Sequence, residues 1–252
     1  MAIALPIIAW DNRLSDATPA ASSTATGYNV LNLRDFRPYT WWKPSAMPAT
    51  VTVDCVSAKA ADCCAVYGHD LGSKGATLEV RGSTDNFSAS DVLVATVTPA
   101  NDKPLLLLFT SASYRYWRLK VTGAAAPSLA IAALGARFTL PVKLPYGFDP
   151  VARAVRGQSN RSADGHPLGR VVTFEEWSAT LTLQKVDMAW LRSDLLPLWK
   201  SHLRGKPFIF SWDSGDHADE IYLVQAGDKL SMPHSMPGRA DVSFDISGVA
   251  LA

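Results

Sequence analysis

Tyr116-Trp-Arg-Leu-Lys-Val121 alternates apolar and polar residues, the period of two that marks a strand with one face buried and the other wet. Thr50-Val-Thr-Val-Asp54 repeats the pattern. Further runs rich in apolar and β-branched residues are Cys63–Gly68, Thr77–Gly82, Val92–Thr98 and Leu105–Thr110. Between them stand Asp70-Leu-Gly-Ser-Lys-Gly, Ser83-Thr-Asp-Asn and Pro99-Ala-Asn-Asp-Lys-Pro, whose residues favour turns. Strands this closely spaced, with no helix among them, predict a two-sheet β-sandwich for the first half. Gly123–Ser128 (GAAAPS) reads as a linker, and Leu129–Leu134 as a strand of either neighbour.

The second half is patterned differently. Leu140–Pro150 is extended and punctuated by proline, and 151–169 is a long polar arm carrying Gly157, Gly165 and Gly169. Arg170–Leu183 then alternates, with Val172, Phe174, Trp177, Leu181 and Leu183 expected inside. Residues 187–203 form the one helical pattern. Asp187 is placed as N-cap, Trp190, Leu191, Leu195, Leu198, Trp199 and Leu203 lie along one face, and Gly205 is placed as C-cap. Pro197 should kink this helix or restart it with Ser193 as a second cap. Lys206–Trp212, Glu220–Gln225 and Ala240–Ser247 complete a strand–helix–strand–strand–strand unit. The expectation is a mainly β chain of two domains, 1–130 and 131–252, the second carrying the helix.

Composition narrows the function classes. Of 252 residues 48% are hydrophobic and 19% charged, with 24 Lys+Arg against 23 Asp+Glu. Such a chain can build a core and is not a mostly disordered one. A net charge of +1 lacks the basic excess of a dedicated nucleic-acid-binding domain. No apolar run approaches the roughly 18 residues that span a bilayer, so no membrane insertion is expected. Met1–Trp10 is apolar but has no basic start and is cut short by Asp11, which argues against a secretory signal.

Candidate chemistry is sparse. Cys55, Cys63 and Cys64 are an odd number, show no CxxC spacing, and read as buried free thiols. His69, His166, His202, His217 and His234 form none of the usual ligand spacings. Asp213-Ser-Gly-Asp-His-Ala-Asp-Glu220 holds four carboxylates in eight residues but departs from the calcium-loop template, and reads as a solvated turn. There is no GxSxG, no SxxK and no phosphate-cradling glycine motif. Adjacent Glu175 and Glu176 point to opposite faces of a strand and make a poor catalytic pair. The chain is therefore read as a non-enzyme without cofactor or metal.

Two stretches resist a bland reading. Arg34-Asp-Phe-Arg-Pro-Tyr-Thr-Trp-Trp-Lys-Pro44 is aromatic and basic. Of adjacent Trp41 and Trp42, one is expected in the core and the other exposed, and Arg37, Tyr39, Trp41 and Trp42 are candidates for contact with a glycan or a partner. The second stretch, 137–170, carries Arg137, Lys143, Arg153, Arg156, Arg161 and Arg170 against Asp149 and Asp164. A basic arm without a core pattern suits contact with an adjacent subunit, or the lining of a passage for a polyanion. Arg153, Arg156, Arg161 and Arg170 are its candidate interface residues.

Asn32-Leu-Arg-Asp35, Thr40-Trp41, Thr50–Asp54, Ala65–Leu71, Leu78–Phe87 and Arg115–Val121 together resemble the discoidin-like, galactose-binding jelly roll over roughly residues 10–125. That resemblance implies a jelly-roll sandwich, a fold that often binds glycans or membranes through its loops but is also used structurally. The second half is similar in pattern to the tail-tube-type β-sandwich of long-tailed bacteriophages, as in distal tail and minor tail proteins. Over roughly residues 135–250, its Leu140-Pro start, the 151–169 arm, the strand over 171–183, the helix, Gly205–Trp212 and the pair Glu220–Gln225 and Ala240–Ser247 carry the likeness. It implies a tail-tip or baseplate protein of the virion, assembled in the host cytoplasm. Its copies would form a ring, of six or else three, around a channel through which DNA passes without specific binding. Its partners would be the tail-tube protein and other tip proteins. In that family a jelly roll does not usually precede the tube-like domain. The alternatives are a carbohydrate-binding adhesin that recognises a host glycan, and a glycan-degrading enzyme with an appended binding domain.

Overall fold

The computed structural model describes residues 4–249. Its strands are β1 (Ile7–Ala9), β2 (Ala20–Ala21), β3 (Ala49–His69), β4 (Thr77–Ser83), β5 (Val92–Val97), β6 (Leu105–Thr122), β7 (Leu129–Gly135), β8 (Phe138–Thr139), β9 (Ala154–Arg161), β10 (Pro167–Asp187), β11 (Phe208–Ser211), β12 (Ile221–Ala226), β13 (His234–Met236) and β14 (Arg239–Val249). A helix occupies 188–203. The chain is mainly β, as the alternation predicts.

The first sheet runs β2-β3-β6-β4-β5, with β7 on the far half of β3. Thr50–Cys55 and Cys63–Gly68, expected as two strands, belong to the single strand β3, and the two runs within 105–121 likewise belong to β6. The two long strands pair from Ala49↔Val121 to Asp54↔Tyr116, slip at two irregularities, and pair again from Cys63↔Leu108 to Val66↔Leu105. Val56, with φ 65, lies in the first slip. An added residue bends and twists a strand without ending its pairing. The sheet thus folds over itself, and Val51, Val53, Leu119 and Val121 from one half share a buried cluster with Cys64, Val66, Leu129 and Leu134 from the other.

The second sheet runs β8-β1-β11-β12-β14-β10-β9, with β13 beside β14. Here the expected division at residue 130 changes. Leu129–Gly135 pairs with β3 in the first sheet, whereas Ile7–Ala9 lies in the second, between β11 and β8 (Ile8↔Phe210, Ile8↔Phe138). Residues 10–137 are therefore an insertion within the second sheet's unit, leaving after β1 and returning beside it. Gly123–Ser128 is an internal connection of the inserted unit, fastened where Ser128 N–H donates to Asp70 Oδ1 and where Trp42 and Leu129 exchange backbone hydrogen bonds of 2.8 and 2.9 Å.

One face of the second sheet packs on the helix. Leu191, Leu195, Leu198, Trp199 and Leu203 meet Trp177, Leu181, Phe208, Phe210, Val242 and Phe244. Asp187 Oδ1 accepts the N–H groups of Ala189 and Trp190, as an N-cap should. The helix runs through Pro197 without a restart. The turns before and after the proline close with the wider i→i+5 spacing, as in Leu196 N–H to Leu191 O and Arg204 N–H to Trp199 O. Ser193 does not cap. Its hydroxyl bonds back to Ala189 O.

The opposite face packs on the first sheet through a third apolar cluster. Ala9, Ile209 and Ile221 meet Cys63, Ala65, Tyr67, Ala130, Ile131 and Ala133. The alanines keep this seam thin.

Candidate functional site

The expected arm is a two-stranded ribbon. β9 and the first part of β10 pair from Glu176↔Ala154 to Pro167↔Arg161. The tip turns through Gly165 at φ 83, with Ser162 N–H bonded to His166 O. Gly157 is required by a close approach, because a Cβ there would stand 2.2 Å from Val171 O. Beyond the edge of the core, nothing among the described residues covers either face of the ribbon. Val172 and Phe174, expected inside, are 56% and 45% exposed, and Leu168 and Val171 are exposed as well. Alternation reports that a face is apolar but not whether the same chain supplies its cover.

The arginines of the ribbon are held in place rather than free. Arg156 pairs with Glu176 at 2.5 Å. Arg170 donates to Val155 O, Arg161 to Gly165 O and Arg153 to Ala152 O. All four stay exposed. Each keeps unspent donors, since a guanidinium has five N–H groups.

At its base the ribbon is anchored to the core. Trp177 Nε1 and Tyr222 Oη both donate to the Pro150 carbonyl, at 2.7 and 2.6 Å. Leu140, Val142, Leu144 and Phe148 of the preceding extended segment pack on the helix-side core.

The aromatic, basic stretch divides as its adjacent tryptophans predict. Trp42 is the core member at 1% exposure, with Nε1 directed to Thr24 Oγ1, and Trp41 is exposed. This corrects Trp42 as a sugar-stacking candidate, because its ring is enclosed by the first sheet's core and cannot meet a ligand. Arg37 and Tyr39 remain accessible, Tyr39 at 66%. Asp35 organises their loop by accepting Arg37 N–H and the Thr40 hydroxyl. Phe36, at φ 57, packs against the seam.

Arg37 and Tyr39 stand at the mouth of an open cleft of about 460 Å³, completed by Tyr67, Leu223, Gln225 and Ser247. It lies where the second sheet emerges from under the inserted unit. A second cleft of similar volume opens elsewhere along the seam, beside Lys103, Arg153, Asp219 and Tyr222.

No protein-family model and no curated protein matches the chain. Solved structures do. The family 32 carbohydrate-binding module from Clostridium perfringens NanJ, in complex with galactose, is 16% identical with a TM-score of 0.42, over 53% of this chain and 100% of that one. A chitosan-binding module from a Paenibacillus chitosanase/glucanase is 17% identical with a TM-score of 0.41, over 47% of this chain and 94% of that one. The family 32 module of AlyQ, in complex with 4,5-unsaturated mannuronic acid, is 20% identical with a TM-score of 0.40, over 47% and 93%.

The remaining candidates have local roles. In the acidic loop, Asp213 Oδ1 accepts from Ala4 N–H and Gly215 N–H. Asp219 pairs with Lys103 across the seam at 2.8 Å, and the ammonium holds its carboxyl below the usual value. Glu220 accepts from Trp212 Nε1, whose ring stacks on His217. Asp213 Oδ1, Asp219 and Glu220 are thus spent on the protein itself, while Asp213 Oδ2 is buried without a partner among the described residues. The three thiols all lie on β3, not on two strands. Cys63 faces the seam, and Cys55 and Cys64 face the first core. Burial pushes Cys55 and Cys63 up to about 12 and Cys64 higher still, which suppresses the reactive thiolate.

Proposed function

We propose that this chain is a structural component of a bacteriophage tail tip or baseplate. Its copies form a ring, of six or else three, around the DNA channel, and join the tail tube to other tip proteins. The observation that carries this reading is the ribbon of 154–176, anchored at Pro150 yet apolar and basic along a length that the described residues leave uncovered. A feature of that kind is stabilised by a neighbour. The apolar side chains supply buried area, and Arg153, Arg156, Arg161 and Arg170 supply charge pairing and register. The resemblance of 135–250 to tail-tube-type sandwiches supplies the setting. No chemistry is assigned, and DNA passes without specific contacts.

The test is mass by light scattering together with negative-stain imaging of the purified chain, alone and mixed with its neighbouring tip proteins. Closed rings with a central hole are expected. Replacing 157–170 by a short turn should abolish them while the melting transition stays in place. A chain that remains monomeric in both settings, or rings that survive the replacement, would sink the ring reading.

A second reading, carbohydrate binding by the inserted unit, is favoured by one specific observation. Exposed Tyr39 and Arg37 flank a cleft instead of projecting from a flat surface.

A further inference from the structure

We infer that the cleft at the mouth of the seam is a saccharide site built jointly by the two units. The inserted unit supplies Arg37 and Tyr39, and the second sheet supplies Leu223, Gln225 and Ser247. The inference rests on the carbohydrate reading and adds where the site is and that neither unit makes it alone.

The second sheet's share follows from its register. Ile221, Leu223 and Gln225 are spaced by two along β12 and so share one face. Ile221 lies within the seam cluster and Leu223 packs against it, whereas Gln225 is exposed. The apolar face thus runs out from under the inserted unit and ends in an amide. Ser247 of β14 is Gln225's register partner and stands on the same face. Two neutral polar groups are thereby placed side by side at the end of an apolar floor.

The inserted unit forms the overhang. Its loop is fixed by Asp35, which leaves the Tyr39 ring exposed and the Arg37 guanidinium without a carboxylate partner among the described residues. An aromatic face packs on the apolar face of a pyranose, an amide and a hydroxyl accept from and donate to its hydroxyls, and a guanidinium donates to them. The volume, about 460 Å³, lies in the range of small-ligand clefts. The polar groups are few and convergent.

The experiment is saturation-transfer NMR on the full chain with a panel of methyl glycosides (galactoside, glucoside, N-acetylglucosaminide and glucuronide). Binding constants follow for any that respond, with Tyr39→Ala, Gln225→Ala, Ser247→Ala and the distant surface variant Lys74→Ala. Binding by wild type and Lys74→Ala, weakened at least tenfold in both Tyr39→Ala and Gln225→Ala at unchanged melting temperature, is the expected result. Binding that survives Gln225→Ala and Ser247→Ala would overturn the joint site while leaving the carbohydrate reading standing. No response of the wild type to any glycoside would overturn both.

Discussion

Trp177 and Tyr222 stack with ring centroids 4.2 Å apart and planes 6° from parallel, and both donate to the same carbonyl, that of Pro150. The chain that enters the ribbon is thus gripped by side chains from β10 and β12. Their donors share one oxygen, and a carbonyl has two lone pairs to offer.

Tyr222→Phe removes one of the two donors and leaves the acceptor satisfied by Trp177. The cost should be about 0.5–1.5 kcal/mol. Trp177→Phe loses its donor and part of a buried ring and should cost more. Because the two share an acceptor and a stacking contact, their effects should not add. Denaturant midpoints of the single and double variants measure this coupling directly.

Trp42→Ala should cost about 3–5 kcal/mol, as expected for emptying a large core site. Tyr39→Ala should stay within about 0.5 kcal/mol of wild type. Thermal melts of the pair decide it.

Gly135→Ala places a Cβ 2.1 Å from the Asp11 carbonyl oxygen, where the inserted unit hands the chain back to the second sheet. Backbone stands on the other side, so the contact cannot be relieved by a rotamer change. A destabilisation of about 1–3 kcal/mol is expected, read as a lowered denaturant midpoint with an unchanged slope.

Stability should decline in alkali. Burial pushes Tyr67 up to about 12, as it does Cys55 and Cys63. The unfolded chain loses the thiol protons near pH 8.5 and the phenol proton near pH 10, while the folded chain keeps them. In that window the unfolded state binds fewer protons, so the free energy of unfolding falls as pH rises. The decline should begin near pH 8.5, steepen past 10, and level off once the folded groups also titrate near 12. A denaturation series from pH 7 to 11 tests the sign. In the same window a thiol reagent should leave the native chain unlabelled and modify all three cysteines only after denaturation.

How far the sequence could be read depends on what each residue's pattern encodes. Val51, Val53, Leu119 and Val121 announce their own burial, because alternation is a local property and their cover is local too. The helix face from Leu191 to Leu203 is legible for the same reason. Phe174 and Val172 carry the same apolar signal, yet lie past the point where the helix and the inserted unit end. The bends in β3 and β6 looked like strand ends, since a slip in register and a turn use similar small and polar residues. The proposed cleft site is half visible in the sequence. Arg37 and Tyr39 stood out by composition, but Gln225 and Ser247 gain meaning only from the register that sets them beside each other.

Ile8 pairs with both Phe138 and Phe210, which sets an order of events at the ribosome. β1 sits between β8 and β11, and is made roughly 200 residues before β11. At about 5–20 residues per second, that leaves it waiting on the order of ten to forty seconds. Meanwhile the inserted unit has all its strands once Gly135 has been made, and its last strand runs straight on to Phe138. Folding first, it would deliver β8 to β1 and hold the two together as a ready edge. The later strands could then add to that edge in the sequence in which translation supplies them.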